Sequence, residues 1–491
     1  MVLLNADFPA YHARIRPKAC ALIDETGTAL DYAAFDCRVG SVAAELRNYF
    51  GVREGDRVAL LAGNSAETFV LQFACQRIGA ILAPLHLRGT TDDLRYALEL
   101  VTPSVLLHDA LNAKKAYEAA GATPIAPMVM AQRADPIVGG LLPADTSCLL
   151  LFTSGTTGRP KAVRFTNRMM AFNAHNMAIA ANIDQDTVHP VILPLYHAAG
   201  FNLYANPVFQ RGGAVEVPSN TSPDSIFDLV ERATCPATHL FAVPTVYKAL
   251  ADHPRFRTID LSALQVAGVG GDTVTRAVLD AWSARGVNLR HGYGMTEAGP
   301  AILAQDAQGA IEDPEAVGYP LLNVETRIRS TCVNETVGRG ELQVRGPTVM
   351  PGYWNDSAAT VRAFDDGWLR TGDIAHVNEA GRYFIVGRLK EIIISGGENV
   401  HPVEIEAALT EHPDVDEVAA FGVPDEYWGQ VCWAAVCVRG AITSDELMRH
   451  CEARLPRFKL PRRIIFVDGF PRNSLGKVDR SALSSTVVAQ T

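Results

Sequence analysis

Five short segments of the 491-residue chain place hydroxyls, glycines, carboxylates and amines at spacings that could do chemistry. The first is Thr153-Ser-Gly-Thr-Thr-Gly-Arg-Pro-Lys161. Gly155 and Gly158 let the backbone turn tightly and approach a ligand. The hydroxyls of Thr153, Ser154, Thr156 and Thr157 can donate to anionic oxygens, and Lys161 adds charge, which makes a phosphate cradle. It is not a Walker A loop, because GxxxxGK[ST] is not satisfied. A flexible polar linker has the same composition. The apolar run Leu149–Phe152 before it and the lysine at its end favour the cradle. The second segment is His291-Gly-Tyr-Gly-Met-Thr-Glu297. Tyr293 offers a flat face to a purine, Thr296 a hydroxyl to a phosphate, and Glu297 hard carboxylate oxygens to Mg²⁺. In the third, Thr371-Gly-Asp373 followed by Gly387-Arg388, the carboxylate could accept both hydroxyls of a ribose; a turn aspartate and a surface arginine would read the same. The fourth, Ile392-Ile-Ile-Ser-Gly-Gly-Glu-Asn399, runs a strand into a Gly-Gly turn that permits close approach. The fifth is Asn473-Ser-Leu-Gly-Lys477, a lysine on a glycine turn.

These segments need elements to hold them. Strand-like and helix-like runs alternate through the first 110 residues and again from 168 to 300, which suggests parallel sheet covered by helices. Arg57–Ala62, Ala80–Leu85 and Ser104–His108 read as buried strands, with Ser65 capping a helix to about Arg77. Residues 117–147 read as an irregular connection. Residues 317–387 carry short strands between glycine turns, a compact β-rich subdomain. Beyond Gly387-Arg388-Leu389-Lys390, Pro402 marks a helix start, two strands fall near 415–422 and 431–438, and Thr443-Ser-Asp-Glu446 has capping-box spacing. The expected class is α/β: a large N-terminal domain over 1–387, a hinge at 388–391, and a small mobile α+β domain over 392–491.

Composition narrows the function. With 48% hydrophobic and 20% charged residues the chain is an ordinary globular protein, neither disordered nor fibrous. A net charge of −10 argues against broad nucleic-acid binding but leaves local phosphate sites open. No run approaches the ~18 apolar residues of a membrane span. The start of the chain does not read as a secretory signal. Nine scattered cysteines, odd in number and without a CxxC pair, fit reduced thiols in the cytoplasm.

Taken in order, TSGTTGRPK, YGMTE, TGD, GRLKEIIISGGENV and GK resemble the adenylate-forming (AMP-binding) enzymes, which include acyl-CoA synthetases, firefly luciferase and peptide-synthetase adenylation domains. The resemblance runs from about Tyr32 to Lys477. It implies two half-reactions: a carboxylate attacks the α-phosphate of ATP to give an acyl-adenylate and pyrophosphate, then a thiol takes the acyl group and AMP leaves. It also implies roles. The loop Thr153, Ser154, Gly155, Thr156, Thr157, Gly158 and Lys161 holds the β- and γ-phosphates. Tyr293 and Gly294 meet adenine beside Gly271 and Asp272. Thr296 contacts the α-phosphate; Glu297, joined by Thr153, holds Mg²⁺. Asp373 and Arg388 hold the ribose, Lys477 bridges the carboxylate and α-phosphate, and Lys390 is the hinge. Ala162 and Glu391 depart from the commoner glycine and aspartate without removing a functional group.

Coenzyme A is the expected acceptor, because Asp425-Glu-Tyr-Trp-Gly429 resembles the DxxWG stretch of CoA ligases. Trp428, Phe458 and Arg462 are candidates for its nucleotide, Arg88 for its phosphates, and Gly396-Gly397 for the border of its pantetheine tunnel. A half-buried packing role for Trp428 stays open. Leu195-Tyr-His-Ala-Ala-Gly-Phe201 resembles the loop that closes over the acyl group, with His197 at the forming adenylate. Ala267-Gly-Val-Gly-Gly271 leaves room along one wall for a flat ring or a straight chain. No arginine or lysine stands out for a second carboxylate. The expected acid is aryl, cinnamic or medium-chain, as in feruloyl-type, 4-chlorobenzoyl-type or fatty-acid ligases. The alternative is an acyl-AMP ligase that delivers to a carrier protein or amine; a non-catalytic nucleotide-binding protein is a further rival. Expected partners are the acid, ATP and CoA, with a homodimer left open.

Overall fold

A computed structural model describes residues 2–129, 135–153, 159–330, 338–396, 398–472 and 478–489. The chain divides into two compact units. The first comprises Met1–Gly271, Asp280–Thr326 and Val344–Leu369; the second comprises Asp272–Leu279, Arg327–Gln343 and Arg370–Thr491.

Three sheets build the first unit. Val58 to Leu61 are buried, and such a continuous apolar run suits a parallel strand covered on both faces. Gly63 and Asn64 end it, and the Ser65 hydroxyl accepts from the Glu67 N–H to start the helix Ala66–Arg77. The six-stranded sheet runs Lys161–Thr166, Ser147–Thr153, Ile81–Pro84, Arg57–Leu61, Val105–His108, Ile125–Pro127, and only the first of these strands is antiparallel to its neighbour. A five-stranded sheet runs His239–Ala242, Val266–Gly270, Arg290–Tyr293, Leu303–Ala304, Tyr319–Pro320, the first three parallel. A four-stranded sheet runs Val188–Pro190, Ala214–Glu216, Cys20–Ile23, Ala29–Asp31. Phe8, Phe35, Phe69, Phe73, Phe201 and Phe209 are fully buried and pack mostly edge to face at 5.2–6.0 Å between centroids. Each such pair adds roughly 0.5–1.5 kcal/mol beyond its area.

The stretch 117–147 corrects the expectation of an irregular connection. It contains the strand Ile125–Pro127, which extends the six-stranded sheet at its edge. Three residues are too few to show alternation, and an edge strand tolerates Pro127.

The expected β-rich subdomain forms from Glu325–Arg329, Arg339–Arg345, Phe364–Asp365, Trp368–Val377 and Tyr383–Arg388. The division between the units passes through its longer strands. Later in the second unit, Val415–Asp425 and Gly429–Val438 form a long hairpin. Ile393–Ser395 and Glu398–Val400 extend it, and Arg463–Phe466 runs parallel to its second strand. Pro402 opens the helix Pro402–Thr410, and Thr443 with Glu446 forms a capping box before Ser444–Glu452. Ile393, Val400, Ile405, Leu409, Val436 and Leu447 give this region a buried core of its own. The class is mixed α/β, as the segment rhythm indicates. Among the described residues, no helix is long and apolar enough to cross a membrane.

Candidate active site

In the first unit, Thr153 and Lys161 are register partners on adjacent antiparallel strands, so the phosphate-loop motif opens and closes at one sheet edge. Ser154, Gly155, Thr156, Thr157 and Gly158 lie outside the described residues. The Lys161 ammonium stands 5.0 Å from the ring centroid of Tyr353.

Two parallel strands end side by side nearby in the sequence motifs: Gly270 and Gly292 are register partners, followed by Gly271 and Tyr293. Carboxyl ends of parallel strands are the usual ligand-binding edge of an α/β sheet. Gly271 has φ +86°, which a side chain would strain, and a Cβ on Gly294 would collide with the Pro300 carbonyl. Tyr293 is partly exposed at this edge.

Thr296 and Glu297 lie in the short 3₁₀ turn Thr296–Ala298. Glu297 is 8% exposed, and the Tyr353 hydroxyl donates to its Oε1 at 2.9 Å. Burial and this carboxylate push the Tyr353 hydroxyl far above its ordinary pKa, so it stays a protonated donor. Among the described residues no group of three or more His, Cys, Asp or Glu surrounds a metal position. A single carboxylate such as Glu297 has the hard oxygens that suit a Mg²⁺ whose other ligands come from phosphates and water.

His197 sits at the N-cap of the helix Ala198–Asn202. Its ring lies 4.5 Å from Tyr196 and 5.4 Å from His86. The Arg88 N–H donates to His86 Nδ1 at 3.1 Å, and the Arg88 charge acts on Tyr196, where burial raises the hydroxyl pKa. Arg88 thus belongs beside the His197 loop. Sequence reading missed His86 and Asn64. Asn64 pins the approach to His197 by donating to the Leu193 carbonyl (2.7 Å) and accepting from the Leu195 N–H (2.8 Å). Only the Gly63–Ser65 turn signal touched it, because its partners lie far along the chain.

In the second unit, Asp373 and Arg388 are register partners on Trp368–Val377 and Tyr383–Arg388. Arg388 Nε meets Asp373 Oδ1 at 3.2 Å; the carboxylate is buried and the guanidinium mostly exposed. The Thr371 hydroxyl accepts from the Asp373 N–H at 3.1 Å, which fixes the turn. Asp272, also in this unit, is exposed. Lys390 is exposed in the turn Leu389–Glu391, whose Glu391 pairs with Arg480 at 3.2 Å. Arg480 also grips Glu406 with two bonds of 2.7 and 2.8 Å.

Gly396, φ +58°, donates its N–H to the Trp428 carbonyl at 2.9 Å, and a Cβ there would strike the Trp428 ring. Trp428 is 45% exposed even so. The Asp425 carboxylate accepts from the N–H groups of Trp428 (2.8 Å) and Tyr427 (2.9 Å), which hold its pKa below the ordinary value. Arg462 acts on the same carboxylate, and Phe458 is 47% exposed on the turn Arg457–Lys459. The basic cluster is partly engaged: Lys459 pairs with Glu404 at 2.7 Å and Arg463 lies over Trp433 at 5.2 Å. Gly397 and Lys477 lie outside the described residues.

Comparison with known proteins shows the family. Residues 10–354 match the AMP-binding enzyme family and residues 404–477 the AMP-binding enzyme C-terminal domain. A feruloyl-CoA synthase of Amycolatopsis sp is 37% identical over 478 residues, 96% of each chain. An indoleacetate–CoA ligase of Aromatoleum aromaticum is 34% identical, covering 94% of each. The o-succinylbenzoate CoA synthetase of Bacillus subtilis, solved with its acyl-adenylate intermediate, superposes with TM-score 0.89 at 27% identity over 98% of both chains. With more than half its length matched by the family model, the chain belongs to the AMP-binding enzyme family.

Proposed function

We propose that this AMP-forming acid–CoA ligase, which adenylates a carboxylic acid with ATP and passes the acyl group to coenzyme A, acts on an aryl or cinnamic acid. The carrying observation is the wall formed by Val266–Gly270. Gly268 and Gly270 present bare backbone there, and a Cβ on Gly268 would collide with the hydroxyl of Tyr204, a buried residue whose ring packs on Phe241 at 5.4 Å. The Phe241 ring lies against both Gly268 and Gly270, so aromatic side chains back this strand along its glycines. Such a lining suits a flat aromatic acid better than a long alkyl chain. The relatives that act on feruloyl and indoleacetyl groups support the same class.

The residue roles are those that the resemblance to the family's motifs implies. Thr153 and Lys161 bind the outer phosphates, with Ser154, Gly155, Thr156, Thr157 and Gly158 between them. Tyr293, Gly294, Gly271 and Asp272 receive adenine, and Asp373 with Arg388 the ribose. Glu297 and Thr153 hold Mg²⁺, which when bound neutralises phosphate oxygens. Thr296 orients the α-phosphate, His197 closes over the acyl carbonyl, and Lys477 stabilises the negative charge that builds as the carboxylate attacks. Lys390 is the hinge between domains 1–387 and 392–491, about which the small domain swings between half-reactions. Trp428, Phe458, Arg462, Arg88 and the Gly396-Gly397 turn receive coenzyme A. The eight described cysteines are free thiols, which fits a cytoplasmic location.

The test is product analysis by mass spectrometry with ATP, CoA and a panel of aryl, cinnamic, short-, medium- and long-chain acids. Cinnamoyl- or aroyl-CoA with AMP is expected. Preferred turnover of a long or medium chain would overturn the acid class. Acyl-AMP without thioester would transfer the reading to a carrier-protein or amine acceptor.

A further inference from the structure

Within the first unit, residues 350–354 tie the strand that begins at Lys161 to the turn that carries Glu297. At one end the Met350 N–H donates to the Glu297 carbonyl at 2.9 Å. At the other the Trp354 N–H donates to the carbonyl of Ala162, the neighbour of Lys161, at 2.8 Å. Between them the Arg164 N–H donates to the Gly352 carbonyl at 3.3 Å, and Tyr353 forms an antiparallel bridge with Val163. The segment is in turn anchored from its own side, because the Tyr353 N–H donates to the Thr360 hydroxyl at 3.0 Å.

The Tyr353 side chain spans the same two motifs as its backbone. Its hydroxyl donates to Glu297 Oε1 at 2.9 Å, and its ring faces the Lys161 ammonium at 5.0 Å. The phenol O–H donates and the carboxylate oxygen accepts, so the bond has one polarity. A rigid ring fixed at its backbone by the strand Lys161–Thr166 and the helix Ser357–Ala363 gives that donor little freedom. The carboxylate is thereby held in one rotamer. The lysine gains a cation–π partner in the same ring.

We propose that Tyr353 is a positioning residue for adenylation, which aims the Glu297 carboxylate at Mg²⁺ and fixes its separation from the Lys161 amine. Nothing in the amino-acid pattern around Pro351-Gly-Tyr-Trp354 assigned it a part in the chemistry. The inference rests on the reading of Glu297 as the metal carboxylate, so its test carries a separate control for that reading.

The experiment uses the full chain with Mn²⁺ in place of Mg²⁺ and a non-hydrolysable ATP analogue, with free Mn²⁺ counted by electron paramagnetic resonance. ATP–pyrophosphate exchange, thioester formation from a synthetic cinnamoyl adenylate, and the thermal midpoint are measured in parallel. Tyr353→Phe keeps the ring and removes the donor. It should weaken Mn²⁺ binding by about tenfold, the order expected for a lost hydrogen bond to a charged group. Exchange should fall by a similar factor, while thioester formation stays within about twofold. Tyr353→Leu, which also removes the ring from Lys161, should raise the KM for ATP further. Glu297→Gln should lose Mn²⁺ binding more deeply than Tyr353→Phe. If Glu297→Gln binds Mn²⁺ normally, the metal reading of Glu297 is wrong and the inference falls with it. If Glu297→Gln loses Mn²⁺ but Tyr353→Phe does not, whatever its exchange rate, Tyr353 has no positioning role. Equal losses in both half-reactions with a lowered thermal midpoint would make Tyr353 a packing residue only.

Discussion

Asp373 and Arg388 meet at 3.2 Å, and the arginine side chain is 62% exposed. The carboxylate is buried but the guanidinium stands in solvent, so in the proposed ribose site a hydroxyl could take over one of the bonds at small cost. Lys477 is the complementary case: its place in the chemistry rests on the family motif Asn473-Ser-Leu-Gly-Lys477, not on a described contact. Removing its ammonium takes away a charge partner of the adenylation transition state. Lys477→Ala should therefore lower adenylation by on the order of 10²-fold or more, measured as pyrophosphate exchange. Thioester formation from a synthetic acyl-adenylate should be largely spared. Equal loss in the two assays would remove Lys477 from its assigned role.

At the scale of elements, the turn Leu389–Glu391 is exposed at Lys390 and held at Glu391. Arg480 links Glu391 to Glu406 on the helix Pro402–Thr410, so the residue after Lys390, the proposed hinge, belongs to the packed body of the second unit. Glu406 is partly buried, and burial raises its pKa even against the Arg480 charge. Such a pair holds geometry more than it adds stability. A swing about Lys390 then needs its own φ to change. Lys390→Pro fixes φ near −65° and should slow thioester formation by about tenfold or more while adenylation changes less. Single-turnover measurement of each half-reaction checks this, and an unchanged thioester rate would place the hinge elsewhere.

Across the whole molecule, buried histidines set an acid limit. His189 is buried and its pKa is pushed down to about 4 by burial; burial also lowers His239 and His12. The unfolded chain binds protons on these rings near pH 6.5, the folded chain only at lower pH. Their contribution is complete above about pH 6.5 and is lost as pH falls from there toward the folded value. For His189 alone the full loss is roughly 3 kcal/mol. Thermal unfolding followed by circular dichroism should show the midpoint falling between pH 7 and 4.5, above the range where most carboxylates titrate. His189→Gln, which cannot ionise, should flatten part of that fall. A flat profile in the native chain would show that these rings are protonated in the fold.

Much of the site was legible without coordinates because its signals are local. Thr153 and Lys161 bracket one loop, Gly270-Gly271 ends one strand, and Thr296-Glu297 makes one turn, so residue type and spacing are enough. The helix starts at Ser65, Pro402 and Thr443 were legible for the same reason: a cap bonds within its own first turn. The strand Ile125–Pro127 was not, since three residues carry no period and its identity comes from the neighbour it pairs with. Asn64, His86 and Tyr353 were not legible either. The sequence by itself determined the family, the order of the motifs and the chemistry of the groups they present. Only the tertiary structure decided that Tyr353 donates to Glu297, that Arg480 grips the turn Leu389–Glu391 and that Tyr204 fills the space over Gly268. Each of those contacts joins residues distant in sequence, and a distant partner is chosen by the path of the chain through the core, which no local pattern encodes.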